Sequence, residues 1–174
     1  RVELHRLFGD AVCAQGSGNS CTMGTPARQW MQSTADAMGG GHCEGMAVLS
    51  VLLWNGDVDS TSLGGSSTWA LALDGNENLQ RELGFWWATQ MLDGVYFGSK
   101  RHTGRDTVDF LEKAFTSKDE MYTMGIYQED GTGGHAITPY RVDRVDASKA
   151  RIAVYDNNWP GEERFIEIDL NANS

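Results

Sequence analysis

From Gly39 to Leu53 the chain reads GGGHCEGMAVLSVLL: a glycine run, one cysteine, then a mostly apolar stretch. Glycine lets the backbone turn sharply into a helix start. Cys43 is therefore expected in the first helical turn, where free N–H groups and the helix dipole favour negative charge. Met46, Ala47, Val48, Leu49, Val51, Leu52 and Leu53 leave almost no polar face. The helix is expected to be buried all round and to sit at the centre of the fold. A cysteine in such a helix is most often a small buried side chain. A second cluster, around His135 and Asp156, gives this one a chemical alternative.

The chain has 174 residues, of which 40% are apolar and 22% charged, enough for one domain with a proper core and unlike a disordered chain. The single domain divides into a helical half, about 1–118, and a sheet half, about 119–174. With 14 basic against 24 acidic residues the net charge is −10, and no basic run is present. Nucleic acid and anionic membrane are therefore excluded as main partners. Apolar runs fall short of the roughly 20 residues a spanning helix needs. A start at Arg1 without Met reads as a mature chain or as part of a longer precursor.

Cys13 and Cys21 enclose the polar loop AQGSGNS, which is flexible enough for a local disulfide, and Cys43 is left as the odd thiol. Such a bridge points to a secreted or extracytoplasmic protein. A zinc site from Cys13, Cys21, His42 and Cys43 lacks Cys-x-x-Cys spacing, so no metal is expected.

Val2, Leu4, Leu7, Phe8 and Val12 suit a short helix or an extended edge equally well, and His5 reads as a surface residue without a partner. Thr25-Pro26 has the capping hydroxyl and first-turn proline of a helix running to Gly39. Asn55 to Ser67 reads as a solvated loop, its alternating Asn55, Asp57 and Asp59 lacking the glycine and distal glutamate of a calcium loop. Leu79, Leu83, Trp86, Trp87 and Met91 predict a helix from Glu77 to about Met91, its tryptophans forming core or groove wall. Another follows Asp106, read as its cap, with Val108, Leu111 and Phe115 on one stripe. His102, in the basic loop before it, reads as a solvated tip. From Met121 onward four extended runs with short connections predict an antiparallel sheet, and helices first with strands last give the class α+β.

His135 opens a strand directly after Gly133-Gly134, and Asp156 closes the next, sharing a face with Ile152 and Val154. Adjacent antiparallel strands would set the two side by side. A thiol to attack a carbonyl, an imidazole to remove and return a proton, and an acceptor to fix the imidazole are the parts of a nucleophilic triad. His42 is a poor base for Cys43, because neighbouring helical side chains diverge.

This order of a Cys at a helix start, Gly-His-Ala at a strand start, and an acid before an aromatic and Gly resembles the papain-like cysteine peptidase superfamily, including its bacterial C39-like branch. The resemblance covers Gly41 to Ser50 and Gly133 to about Ile168. It implies a central helix packed on a twisted sheet, a substrate groove between them, Cys43 as nucleophile, His135 as general base and acid, and Asp156 as orienting residue. Asn157 or Asn158 is the alternative third member, and Trp159 would shield the pair from water. The family's usual oxyanion glutamine is missing, since Ala37 holds its place; Gln32 is the nearest candidate, beside the Cys43 backbone N–H. Glu44 follows the nucleophile where papain has Trp.

The implied activity is hydrolysis of a peptide bond in a peptide or protein substrate through a Cys43 thioester, without metal or organic cofactor. The alternatives are an acyltransferase, transglutaminase or deamidase on the same triad, or a catalytically silent groove-binding domain.

Overall fold

In a computed structural model of the protein, residues 1–117 and 120–172 are described; the expected boundary between the two halves, at 118 and 119, lies outside them. The first residues resolve the choice between helix and edge in favour of helix: α1 (Val2–Phe8) is followed by a 3-10 turn (Gly9–Val12). A small hairpin of β1 (Cys13–Gln15) and β2 (Thr22–Met23) comes next, and the Cys13–Cys21 disulfide closes it. Cys21 and Met23 bury with Leu4 and Val12 in a satellite core.

The helix α2 (Thr25–Met38) begins one residue earlier than expected: extended Gly24 is the cap, Thr25 is the first helical residue, and its Oγ1 accepts from Arg28. The central helix α3 (Cys43–Asn55) has no exposed residue from Cys43 to Leu53. That matches an apolar helix clasped from several sides, with only its last turn, at Trp54, projecting into solvent. The loop after it is not plain coil. Asp59 caps a 3-10 turn (Ser60–Leu63), accepting from Thr61 N and Oγ1, and Leu63 plugs into the core of α3.

Helix α4 (Glu77–Thr89), capped by Asn76, lies across α3. The crossing is close because Gly45 has no side chain: a Cβ there would stand 2.2 Å from the Leu83 carbonyl oxygen. A short helix, α5 (Asp93–Tyr96), leads to α6 (Gly104–Ala114). Its cap is Thr103, which accepts from Asp106 N, so the expected cap Asp106 sits in the first turn. The Thr-x-x-Asp order starts the helix earlier, with the acid at the positive end of the dipole.

The four expected strands are present as β3 (Met124–Ile126), β4 (His135–Arg144), β5 (Lys149–Tyr155) and β6 (Arg164–Asp169), an antiparallel meander in the order β3-β4-β5-β6. A register shift between Pro139 and Arg141 interrupts the β4–β5 ladder, at a proline that has no N–H to give. Such irregularities bend and twist a strand, in keeping with the curl of this sheet. Ile137, Ile152 and Val154 bury against Val108 and Leu111 of α6. On the other face Thr138 meets α3 through the Ala47 carbonyl, at 3.1 Å. The protein is thus α+β, with N-terminal helices packed on a C-terminal antiparallel sheet and α3 touching β4.

Candidate active site

Gly41, at φ 141°, takes a backbone conformation that side chains resist, and from it the chain enters α3 with His42 as cap and Cys43 as first helical residue. His42 makes no side-chain capping bond and is exposed. Cys43 is the free cysteine and is half-buried. Cys43, Ala47 and Ser50 fall at i, i+4 and i+7, one stripe of the helix. That stripe faces β4, because Ser50 and the Ala47 carbonyl both reach Thr138.

His135 is the first residue of β4, held by pairing with Ile126 of β3. Its Nε2 stands 2.8 Å from Asp156 Oδ1, the residue just beyond β5. Both side chains are mostly covered, 21% and 15% exposed. The same oxygen accepts from Asn158 N at 2.9 Å, so the turn after β5 holds the carboxylate in place. Asn158 Nδ2 also approaches His135 Nε2, at 3.4 Å. The carboxylate contact is shorter and charge-assisted and therefore dominates. With Nε2–H given to Asp156, a neutral imidazole carries its lone pair on Nδ1.

Tyr155 is paired with Thr138, so residues 156 and 157 continue toward the His135 end of the sheet. There Asn157 Nδ2 donates to the Cys43 carbonyl, at 3.4 Å, which ties the start of α3 to the same end. Strand alternation puts His135 and Asp156 in phase with Ile137 and Val154, and Asn157 in phase with Tyr155. Imidazole and sulfur thus belong to opposite faces at one sheet end, and among the described residues no hydrogen bond joins Cys43 Sγ to the His135 ring. Of the candidates for third member, Asp156 bonds the imidazole, Asn158 approaches the same ring nitrogen at 3.4 Å, and Asn157 bonds the backbone of Cys43.

Gln32 lies on the exposed side of α2, its amide donating to Asp36 Oδ1 at 2.8 Å. Trp159 is 47% exposed, with the Arg164 guanidinium 4.6 Å from its ring, more a rim residue than a lid over the pair. Glu44, the unexpected neighbour of Cys43, turns inward and accepts from Thr123 Oγ1 at 3.0 Å; burial pushes its carboxyl pKa up, against the lowering effect of that bond. Nothing in the spacing of the sequence pointed to Thr123 or to the Ser50–Thr138 pair, which are single polar residues with distant partners.

The disulfide removes Cys13 and Cys21 as zinc ligands. His5 is not partnerless: Nε2 is 2.8 Å from Asp10 Oδ1, an oxygen that also accepts from Gly18 N and, by these bonds, holds the Asp10 pKa down. His102 is exposed and stacks on Phe110. No helix among the described residues is long and apolar enough to cross a membrane. No family model, curated protein or solved structure matches the chain.

Proposed function

We propose that the protein is a papain-like cysteine peptidase acting on a peptide or protein substrate. The observation that carries this reading is the 2.8 Å bond from His135 Nε2 to Asp156, which leaves Nδ1 as the basic nitrogen at the sheet end where Asn157 anchors the start of the Cys43 helix. His135 Nδ1 takes the proton of the Cys43 thiol, and the sulfur attacks the scissile carbonyl carbon. The oxyanion is met by the Cys43 backbone N–H, which has no acceptor within its own helix. The tetrahedral intermediate expels the amine, which leaves with the proton from His135, and a thioester remains on Cys43. Water then gives a proton to His135 and its oxygen to the acyl carbon, releasing the acid and restoring the thiol. Asp156 stabilises the imidazolium at each stage and holds the ring in one orientation. No hydrogen-bonded contact between sulfur and ring is present among the described residues, so transfer of the thiol proton requires the two to approach when substrate binds.

A mixed peptide library incubated with the protein and with Cys43→Ala, with fragments read by mass, tests this. Fragments that need Cys43 are the expected result. Fragments carrying an added amine in place of water would move the assignment to acyl transfer on the same residues. No Cys43-dependent product, together with iodoacetamide labelling no faster than that of an ordinary buried thiol, would mean that the groove binds without reacting. A disulfide in the structure agrees with a secreted or extracytoplasmic location.

A further inference from the structure

Away from the candidate active site, four side chains with metal-binding atoms meet where α1 turns into the small hairpin. His5 lies in the last turn of α1 and Asp10 in the 3-10 turn after it, and Cys13 and Cys21 are bridged across the hairpin. Asp10 Oδ1 stands 2.8 Å from His5 Nε2 and 3.8 Å from Cys13 Sγ. One ligand atom from each of His5, Asp10 and Cys13 fits within a span of 4.8 Å. Cys21 Sγ is bonded to Cys13 Sγ and so belongs to the same spot.

Two sulfurs, an imidazole nitrogen and a carboxylate oxygen form a donor set that suits zinc. Metal–ligand bonds of about 2.0–2.3 Å place tetrahedral ligands roughly 3.3–3.8 Å apart, so the present spacings close on one ion with shifts of about 1 Å or less. The site is also held open to an ion. Gly18 N–H, from the loop inside the bridge, donates to the same Asp10 oxygen at 2.7 Å, and with His5 it keeps the Asp10 carboxyl pKa low. Cys21 is anchored in the satellite core with Leu4 and Val12, while the His5 and Asp10 side chains are 23% and 59% exposed and form the mouth.

While the bridge is closed neither sulfur can act as a thiolate. A dithiol reductant opens it: the reductant becomes the disulfide, and two electrons and two protons pass to Cys13 and Cys21, which become thiols. We infer that in this reduced protein His5, Asp10, Cys13 and Cys21 bind one zinc-class divalent ion. On binding, the two thiols release their protons, Asp10 enters as carboxylate, and the proton on His5 Nε2 passes through solvent to Nδ1, freeing Nε2 as ligand. The N-terminal unit thus has two alternative clasps, a disulfide when oxidised and a metal when reduced. Only the metal clasp ties α1 to the hairpin through His5. None of this depends on the peptidase reading.

Cobalt(II) and zinc chloride, added to the full chain carrying Cys43→Ala so that no third thiol interferes, provide the test. The protein is compared with its bridge closed and after reduction by a trialkylphosphine, which takes up the oxygen of water as the bridge gains two hydrogens. Reduced protein should bind one cobalt per chain with thiolate-to-cobalt charge-transfer and tetrahedral visible bands, bleached by one equivalent of zinc; oxidised protein should show neither band. His5→Gln, which can still donate to Asp10, and Asp10→Asn should each weaken binding at least about tenfold. Circular dichroism of the oxidised variants checks that both fold. Zinc at a hundredfold excess over Kd should raise the Tm of reduced protein by about 5–10 °C and leave that of oxidised protein unchanged. No cobalt bands after reduction, equal bands with the bridge closed, or affinity untouched by both folded variants would overturn the site.

Discussion

Ser50 Oγ on α3 and Thr138 Oγ1 on β4 stand 2.7 Å apart in the interior, and both reach the Ala47 carbonyl, at 2.7 and 3.1 Å. Two hydroxyl protons and one carbonyl suffice to satisfy the group without water, and the bonds fix how far α3 slides along the sheet. Thr138→Val keeps the shape and leaves Ser50 bonded to Ala47. It is expected to cost about 1 kcal/mol, and Ser50→Ala added to it should cost less than the sum of the two single changes. Urea midpoints at unchanged slope are the check.

Gly45→Ala should be far worse than its size suggests. The new methyl would meet the Leu83 carbonyl oxygen at 2.2 Å, a backbone atom that moves only if α4 moves. A loss near the upper end of the roughly 1–3 kcal/mol typical of overpacking is expected, with weaker Cys43 alkylation selectivity as α3 is displaced. Gly84→Ala on the facing helix is the control. Its nearest neighbour is Met38 Cε at 3.8 Å, so it should stabilise by about 0.5–1 kcal/mol, as alanine does over glycine inside a helix. Equal effects from the two would refute the close crossing.

Reduction of the Cys13–Cys21 bridge frees a loop with a sequence separation of 8 residues. By loop closure alone that costs about 2.5 kcal/mol, or about 5–10 °C in Tm for a chain of this length. Thermal scans with and without a dithiol measure it. A Cys13→Ser/Cys21→Ser double variant should show the same shift and no further change on adding the dithiol.

Glu44 makes stability depend on pH in an unusual direction. Burial raises its pKa in the folded protein above the ordinary 4.5, so the folded state holds this proton more tightly than the unfolded chain. Its contribution is complete below the unfolded value and is lost as pH rises through the folded one. Glu44→Gln should therefore gain stability relative to the native protein as pH rises from below 4.5 toward neutrality. Surface carboxylates with lowered pKa, such as Asp10 and Asp146, act in the opposite sense but cancel in that difference. A difference that stays flat across this range would show that Glu44 titrates normally.

For turnover, Asp156→Ala should lower kcat by about 10² to 10⁴-fold on the mechanism proposed, with little change in KM. Asp156→Asn should lose less, because its amide oxygen still accepts from His135 Nε2 and Asn158 N; what it gives up is the charge that stabilises imidazolium. Asn157→Ala, which loosens the Cys43 carbonyl rather than the imidazole, should raise the acid limb of the kcat/KM profile no further than its native position. Peptide cleavage followed across pH separates the two roles.

Much of this arrangement was legible in the chain. Glycines before Cys43 and an apolar run after it are local signals, and α3 follows from them directly. Period-two alternation in RIAVYD gave the strand, its face and the place of Asp156, and the pairing of His135 with Asp156 followed from adjacent strands. Helix caps were less legible, because Thr25 and Asp106 both carry capping groups but a neighbour, Gly24 or Thr103, already held the position. Least legible were bonds between residues far apart in sequence. Glu44 with Thr123, Asn157 with Cys43 and Ser50 with Thr138 are separated by 79, 114 and 88 positions, and nothing in their local spacing marks one for the other.

That separation also sets an order of events at the ribosome. The helix bearing Cys43 is made while the segment that ends at Asn157 is still untranslated; at about 5–20 residues per second the wait lasts roughly 6 to 23 seconds. For most of it neither the Asn157 tether nor the His135 imidazole has been made. On the mechanism proposed, a nascent chain of this design lacks its base until its last strands arrive, so any self-cleavage would belong to the finished molecule and not to its synthesis.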